Sequence, residues 1–285
     1  MAEIVIRPMT EADIPVADTI GMAAYGRESR RAELARLVRL QPDGWLLAEV
    51  DGEPAGMVGA TDFGPFAYVG QMGVLPAFQR RGIARTLMER LLRWVDGRGC
   101  PVTLLDASDA GYPLYADMGF VVDDGVAQLA LTDTPKVDTP VPGRARVDVM
   151  RRDDLAEVIA FDTPRFGADR GAVLAAYLAD CAGRAFVARG ERGEVRAFLF
   201  AQARMLGPWV AATPEDAEAV LAHTLALPFA GTPLVIAPEA HGAALALLAR
   251  YGFVVQRTLR HMRRGGEPLL ERRRQVYGQA SFAIG

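Results

Sequence analysis

The chain has 285 residues, 51% of them apolar, 24% charged, and a formal net charge of −3. That length accommodates one large or two ordinary domains with real cores, and the balance of acids and bases excludes the global positive field of a nucleic-acid or anionic-membrane binder. Only Cys100 and Cys181 are present, and His223, His241 and His261 lack metal-ligand spacing, so neither a disulfide framework nor a metal site is expected.

In chain order, Ile4–Ile6 reads as a strand, and Glu11–Tyr25 and Glu28–Leu40 as helices. Strands follow at Trp45–Val50, Glu53–Phe63 and Ala67–Val74, the first two joined by Asp51-Gly52, a hairpin turn pair. The next segment, Val74-Leu-Pro-Ala-Phe-Gln79-Arg80-Arg81-Gly82-Ile83-Ala84-Arg85-Thr86, carries the most information. It is an apolar strand end, a short basic loop, then a helix over residues 84–95 with Leu87, Met88, Leu91, Leu92, Trp94 and Val95 on one stripe. A loop that opens directly into a helix aims its free N–H groups at one spot, which suits a diphosphate. Arg80, Arg81 and Arg85 add full charges there, while Gly82 and Ala84 leave room for a ligand to reach the backbone. A strand at Val102–Asp106, a helix ending near Met118 and a strand from Phe120 complete an α+β unit. Neither a Rossmann nor a P-loop glycine pattern is present.

Gln79-Arg80-Arg81-Gly82-Ile83-Ala84, preceded by Met72-Gly73-Val74, resembles the signature of the GNAT acyltransferases, which use acetyl-CoA. Downstream, Leu114-Tyr115-Ala116-Asp117-Met118-Gly119-Phe120 resembles the helix end that closes the acyl-CoA site in that family. The resemblance implies that the strands ending at Val74 and near Asp106 splay apart. The pantetheine arm would then pair with the backbone of Met72, Gly73 and Val74, and the diphosphate with Arg80, Arg81, Gly82, Ile83, Ala84, Arg85 and Thr86. It also implies that Ser108 touches CoA, that an N–H near Val74 receives the thioester oxygen, and that Tyr115 is the acid that protonates the leaving sulfur. Tyr112 is three residues away but off the family position.

The plan then recurs. After a proline-rich linker over residues 132–145, Asp148–Leu155 echoes Arg7–Ile14, and Tyr251-Gly252-Phe253 echoes Met118-Gly119-Phe120. In this second copy the phosphate-loop counterpart is Thr213-Pro214-Glu215-Asp216, a self-capped helix start whose acids would repel a pyrophosphate. Leu248 stands where Tyr115 would be. The expected organisation is therefore tandem GNAT-like domains, each a mixed, mostly antiparallel sheet flanked by helices: an acetyl-CoA-binding catalytic domain at residues 1–134, and a degenerate copy with a docked C-terminal tail at residues 146–285.

Acetyl transfer to a primary amine of pKa about 10.4 requires a neutral amine, which costs roughly 4–5 kcal/mol at pH 7. No residue stands out as the base that would help; Glu28, Asp62, Asp106 and Asp109 are the acids near the expected cleft. The reading is thus an acetyl-CoA-dependent N-acetyltransferase acting on a small-molecule amine, without nucleic-acid or membrane partners and without a metal. A non-catalytic acyl-CoA sensor or scaffold is the alternative. No apolar run reaches bilayer length and the first residues lack a signal-peptide core, which implies a cytoplasmic protein. Arg257, Arg260, Arg263, Arg264, Arg272, Arg273 and Arg274 form an arginine-rich stretch that could bind an anionic acceptor or brace the two halves.

Overall fold

The computed structural model describes residues 3–132, 145–268 and 270–285, so the linker reading over residues 132–145 falls almost wholly outside it. The first half runs β1 (Ile4–Pro8), α1 (Ile14–Tyr25), α2 (Arg31–Leu40), β2 (Trp45–Val50), β3 (Glu53–Asp62), β4 (Ala67–Val74), α3 (Ile83–Gly97), β5 (Thr103–Ala107), α4 (Tyr112–Asp117) and β6 (Val121–Leu131). The second repeats the order with β7 (Arg146–Val149), α5 (Leu155–Phe166), α6 (Gly171–Asp180), β8 (Ala185–Arg189), β9 (Val195–Ala201), β10 (Leu206–Ala211), α7 (Pro214–Leu225), β11 (Leu234–Pro238), α8 (Gly242–Arg250) and β12 (Phe253–Arg264). A short strand, β13 (Val276–Gly278), follows near the end.

Local chemistry accounts for the boundaries. Asp51 and Gly52 both have left-handed φ, 50° and 82°, the geometry a two-residue hairpin needs to match strand twist. Helix α2 starts at Arg31, three residues later than expected, because the preceding loop is clamped to α1. The carboxylate of buried Asp18 accepts from Ser29 Oγ at 2.6 Å and from the Arg30 N–H at 2.8 Å. Both halves enter their first helix the same way. Asp13 accepts from the Thr10 N–H at 2.8 Å and Asp154 from the Arg151 N–H at 2.7 Å, each satisfying an orphan donor. The duplication is therefore visible in hydrogen bonds as well as in letters.

Strands β1-β2-β3-β4-β5-β12-β6-β11 form one sheet and β13-β10-β9-β8-β7 another. Among the described residues, β4 and β5 are the one parallel pair of strands. Strand β12, contributed by the second half, lies between β5 and β6, with His261 opposite Asp106 on one side and Asp124 on the other. Strand β6 in turn pairs with β11, Leu129 opposite Val235. Each half sends its last long strand to the other, and neither closes its own sheet.

Helix α3 covers one face of the first half, with Leu87, Met88, Leu91 and Val95 against Leu46, Val58, Val69 and Leu105. On the opposite face α1 and α2 meet α5 and α6, so Ile20, Leu34, Trp45, Leu174, Tyr177, Phe198 and Ile284 share one core. Burying each such side chain is worth about 1.5–3 kcal/mol, and here that stabilisation belongs to both halves at once. The arginine-rich stretch reinforces the join. Arg263 pairs with Asp123 at 2.8 Å, Arg264 with Asp96 at 2.8 Å and Arg273 with Asp124 at 2.9 Å, and Arg260 pairs with Asp109.

A shared core and exchanged strands make the halves one cooperative unit. Variants that keep only Trp45 or only Trp209, each fully buried in a different half, are expected to report the same urea midpoint by fluorescence. Two separated midpoints would show that the halves unfold independently.

Candidate active site

Strand β4 leaves β5 because it carries an extra residue. Gly59 faces Gly70 and Met57 faces Gly73, two steps on β3 against three on β4, and Gln71 takes up the slack with a left-handed φ of 56°. Such a bulge bends its own strand away from the ladder. The parallel pairing with β5 ends at Val69 opposite Leu105. Beyond that pair the strands diverge around a cleft of about 410 Å³. Met72, Gly73, Val74, Ala84, Ser108 and Tyr115 all line it, together with Gln79.

The loop at the end of β4 supplies donors. Gln79 Nε2 donates to the Val74 carbonyl at 3.1 Å, tying the loop back to the strand. Arg80 and Gly82 then adopt left-handed φ of 61° and 81°. The first helical bond is from the Thr86 N–H to the Gly82 carbonyl at 3.0 Å, and the N–H groups of residues 80–85 have no acceptor among the described residues. Unpaired amides at a helix start, with the helix dipole behind them, form an anion cradle. Ile83 is packed into the core, so only its backbone is free to serve a ligand. Arg85 pairs with Asp117, and Thr86 Oγ1 donates to the Gly82 carbonyl at 3.1 Å, so both side chains are engaged within the protein. Arg81 lies over the Phe78 ring, 5.3 Å from its centroid.

Across the cleft, Ser108 opens α4. Its carbonyl accepts from the N–H groups of Gly111 and Tyr112 at 3.1 and 2.9 Å, and its hydroxyl accepts from Gly111 at 3.3 Å. Seven residues on, within α4, Tyr115 is almost fully buried against Phe120, ring centroids 6.0 Å apart. A Cβ on residue 111 would lie 2.9 Å from the Tyr115 ring, so the glycine leaves room for the phenol. Burial, helped by the neighbouring Tyr25 phenol, pushes the Tyr115 hydroxyl well above its ordinary value. It therefore holds its proton throughout the physiological range.

Of the four acids considered from sequence, three sit elsewhere or are exposed: Asp62 pairs with Arg98 at 2.6 Å, Glu28 with Arg204 at 3.3 Å, and Asp109 with Arg260. Asp106 borders the cleft but both its oxygens are taken. Tyr68 donates to one at 2.7 Å and Gln279 to the same atom at 3.2 Å, while His261 Nδ1 lies 2.8 Å from the other. Burial alone would raise the Asp106 carboxyl; the His261 hydrogen bond, the charge of Arg273 and the Tyr68 hydrogen bond outweigh it and keep the carboxyl low. Burial and Arg273 together lower His261, leaving a neutral ring whose Nδ1–H donates to the carboxylate. Asp106 is a structural acceptor with no lone base to offer.

Sequence reasoning missed the far wall, which comprises Tyr25, Arg27, Arg30, Gln71, Arg257, Leu259, Phe282 and Ala283. Tyr25 donates from its hydroxyl to the Met72 carbonyl. An aromatic followed by a glycine and an arginine at a helix end was the available signal in the first half. No pattern in the letters places Arg257 or Phe282, because strand exchange brings them there.

In the second half the equivalent gap is closed. Thr213 Oγ1 accepts from the Asp216 N–H at 3.2 Å, and Asp216 pairs with Arg196 at 2.9 Å. Glu218 is buried, paired with the exposed Arg250 and accepting from the Tyr251 hydroxyl at 3.1 Å, and Leu248 is fully buried in the core. The opening between β10 and β11 holds the tail itself. Gly278 pairs with Trp209, and the Gln279 N–H donates to the Ile236 carbonyl at 2.8 Å. Where the first half keeps a cleft, the second is filled by its own chain.

The comparisons with known proteins agree with this geometry. Residues 12–120 match the Acetyltransferase (GNAT) family and residues 158–278 the Acetyltransferase (GNAT) domain. A solved structure of a proposed acetyltransferase from Pyrococcus horikoshii is 30% identical with a TM-score of 0.85, the match covering 99% of this chain and 96% of that one. An acetyltransferase of Sodalis glossinidius is 31% identical over 100 residues, 34% of this chain and 70% of that protein. A GCN5-related N-acetyltransferase from Sphaerobacter thermophilus shares the fold at 16% identity and a TM-score of 0.67, covering 94% of this chain and 98% of that one. The chain belongs to the GNAT acetyltransferase family, with a GNAT unit in each half.

The family uses acetyl-CoA, and one free amide cradle among the described residues sets the expected stoichiometry. Calorimetric titration of the intact protein with acetyl-CoA is expected to saturate at one equivalent. Gly82→Asp places a carboxylate at the cradle and is expected to weaken binding more than tenfold. Gly82→Ala is the control for the strain of φ 81° alone, since no protein atom lies within 4 Å of that Cβ. Unchanged affinity in Gly82→Asp would remove the loop from the site, and two equivalents would overturn the reading of the second half as a degenerate copy.

Proposed function

We propose that the chain is an acetyl-CoA-dependent N-acetyltransferase for a primary amine on a small molecule. Residues 1–134 bind the donor, and residues 146–285 act as a non-catalytic partner that walls the acceptor side. The observation that carries this reading is one continuous cleft with unpaired amides at its mouth and the buried, protonated Tyr115 inside. Residues 80–86 cradle the diphosphate, and β4 beyond Val69, no longer paired with β5, offers Met72, Gly73 and Val74 to an extended pantetheine arm, the Met72 and Val74 carbonyls being held by Tyr25 and Gln79. Ser108 borders the same path. Bound acetyl-CoA supplies the thioester whose acyl carbon the amine attacks. As the C–S bond breaks, Tyr115 gives its proton to the departing sulfur; the proton lost from the nitrogen passes to solvent, and solvent returns one to the Tyr115 phenolate, so the cycle ends with amide, thiol and a neutral phenol. An N–H at the end of β4 faces the developing oxyanion.

Supporting a small acceptor is the second half itself, whose Leu259, Phe282 and Ala283 line the cleft and narrow access for a polypeptide. Both cysteines are unpaired and buried, which fits a reducing cytoplasm.

The test is thiol release from acetyl-CoA over a panel of amines, with Tyr115→Phe beside the wild type. Turnover is expected to fall about 10²–10⁴-fold in the variant while acetyl-CoA binding is retained. Asp106, the only carboxylate lining the cleft among the described residues, is fully engaged, so kcat/KM is expected to rise with pH as the amine deprotonates. It should not fall again up to about pH 10, because the acid's pKa lies above the ordinary tyrosine value. A Tyr115→Phe enzyme within twofold of wild type would leave the phenol a packing residue.

A further inference from the structure

The acceptor wall carries three guanidinium groups on two elements. Arg27 and Arg30 come from the loop between α1 and α2, and Arg257 comes from β12 of the other half. The loop is held rigid by Asp18, as described above, and a Cβ on residue 21 would lie 2.3 Å from an Arg27 Nη atom, so Gly21 is what lets that guanidinium rest on α1. Arg27 donates to Gln71 Oε1 at 3.3 Å and to the Glu28 carbonyl at 3.0 Å, and stands 3.7 Å from Asp18. Arg30 pairs with Glu33 at 3.3 Å. Arg257 donates through Nε to Gln128 Oε1 at 2.6 Å and lies 5.2 Å from the centroid of Phe282. Among the described residues it has no carboxylate partner.

A partly buried cation with a neutral anchor and no counter-ion is costly, and here it sits near others of its own sign. Burial, then repulsion from Arg30, lowers both Arg27 and Arg257 from the ordinary guanidinium range. The carboxylates facing this cluster are Asp18 and Glu33, and both are already engaged: Asp18 by Ser29 and the Arg30 N–H with Arg27 and Arg31 near it, Glu33 by Arg30 and Gln71. A wall that binds only an amine would be expected to carry acids; this one carries arginines. Arginine's planar fork matches a carboxylate better than any other anion-binding side chain of comparable reach.

We infer that the acceptor bears a carboxylate beside its amine, and that Arg257, with Arg30 next to it, binds that carboxylate while the amine faces the inner end of the cleft. This rests on the acetyl-transfer reading of the same cleft. The acceptor class is therefore an amino acid or a similar amino-carboxylate. The Gln128 anchor aims the free edge of the Arg257 guanidinium, and the Phe282 ring backs it.

The experiment uses the full chain and matched amines that differ by the carboxylate: tyrosine against tyramine, histidine against histamine, lysine against cadaverine, and phenylalanine against phenethylamine. Thiol release is followed for wild type, Arg257→Gln, Arg257→Lys and Arg30→Gln, with acetyl-CoA binding measured in each to establish that it is folded. For at least one pair, the carboxylated member is expected to have a kcat/KM about 10- to 100-fold higher in wild type, the range of a charge-assisted contact. In Arg257→Gln that ratio is expected to collapse towards one, mainly through KM. Arg257→Lys should restore part of it, and Arg30→Gln should reduce it independently. Because the intrinsic reactivity of each amine is the same in every variant, the ratio isolates the contact. Amines acetylated with no carboxylate preference, or a preference that survives in both Arg257→Gln and Arg30→Gln, would overturn this inference and leave the acetyltransferase reading intact. Thiol release with no amine at all would overturn that reading and this inference with it.

Discussion

The pairing of β12 with both β5 and β6 is the constraint on which the rest of the molecule depends. It runs ten register pairs along β6 and five along β5, threading a strand of the second half through the first. Backbone hydrogen bonds of this kind are individually worth only about 0.5–1.5 kcal/mol net, but leaving their partners buried and unpaired would cost more. The same strand sets His261 against Asp106 and so fixes the Tyr68–Asp106–Gln279 network at the root of the cleft. It also carries Arg257 and Leu259 to the cleft's far wall and Arg263 to Asp123. Fold and site are joined through one element.

From that join follows an asymmetry that composition does not reveal. Both halves have a strand that parts from its neighbour beside a helix start. In the first, a bulge at Gln71 and a left-handed Arg80 and Gly82 keep the gap and the amides open. In the second, Thr213 caps its own helix and Val276–Gly278 pairs along β10. The tail that closes one gap also borders the other, because Ala283 packs directly on Gly70, where any Cβ would lie 2.3 Å from its Cα. The half whose gap is closed shapes the one whose gap stays open.

Much of this was legible in the letters, for identifiable reasons. The loop at Gln79–Ala84 and the turn at Asp51-Gly52 are local, and their geometry is dictated by a few adjacent residues. The echo of Arg7–Ile14 in Asp148–Leu155 shows the duplication, because each copy must cap its helix with an aspartate three residues along. Thr213 and Leu248 likewise betray a second copy without a cradle or a phenol. The strand exchange was not legible. The strand from Phe120 reads as sound whichever half it joins, since alternation specifies a face and not a partner. The role of the arginines was hidden for the same reason: Arg260, Arg263, Arg264 and Arg273 meet Asp109, Asp123, Asp96 and Asp124 across about 140 to 170 residues of chain. Asp106, an acid in a plausible place for a base, could be set aside only once its three hydrogen-bonding partners were known.

The position of β12 also bears on how the protein comes into being. Asp106 leaves the ribosome long before His261, its partner 155 residues on. Until that strand arrives, β5 is an apolar edge with its hydrogen-bonding groups unmatched, the kind of edge that invites pairing with another chain. The nascent first half therefore passes through a stretch of synthesis, at roughly 5–20 residues per second, in which its sheet cannot be finished. Chaperone occupancy and growth temperature would act on that interval, before any cleft exists to bind a substrate.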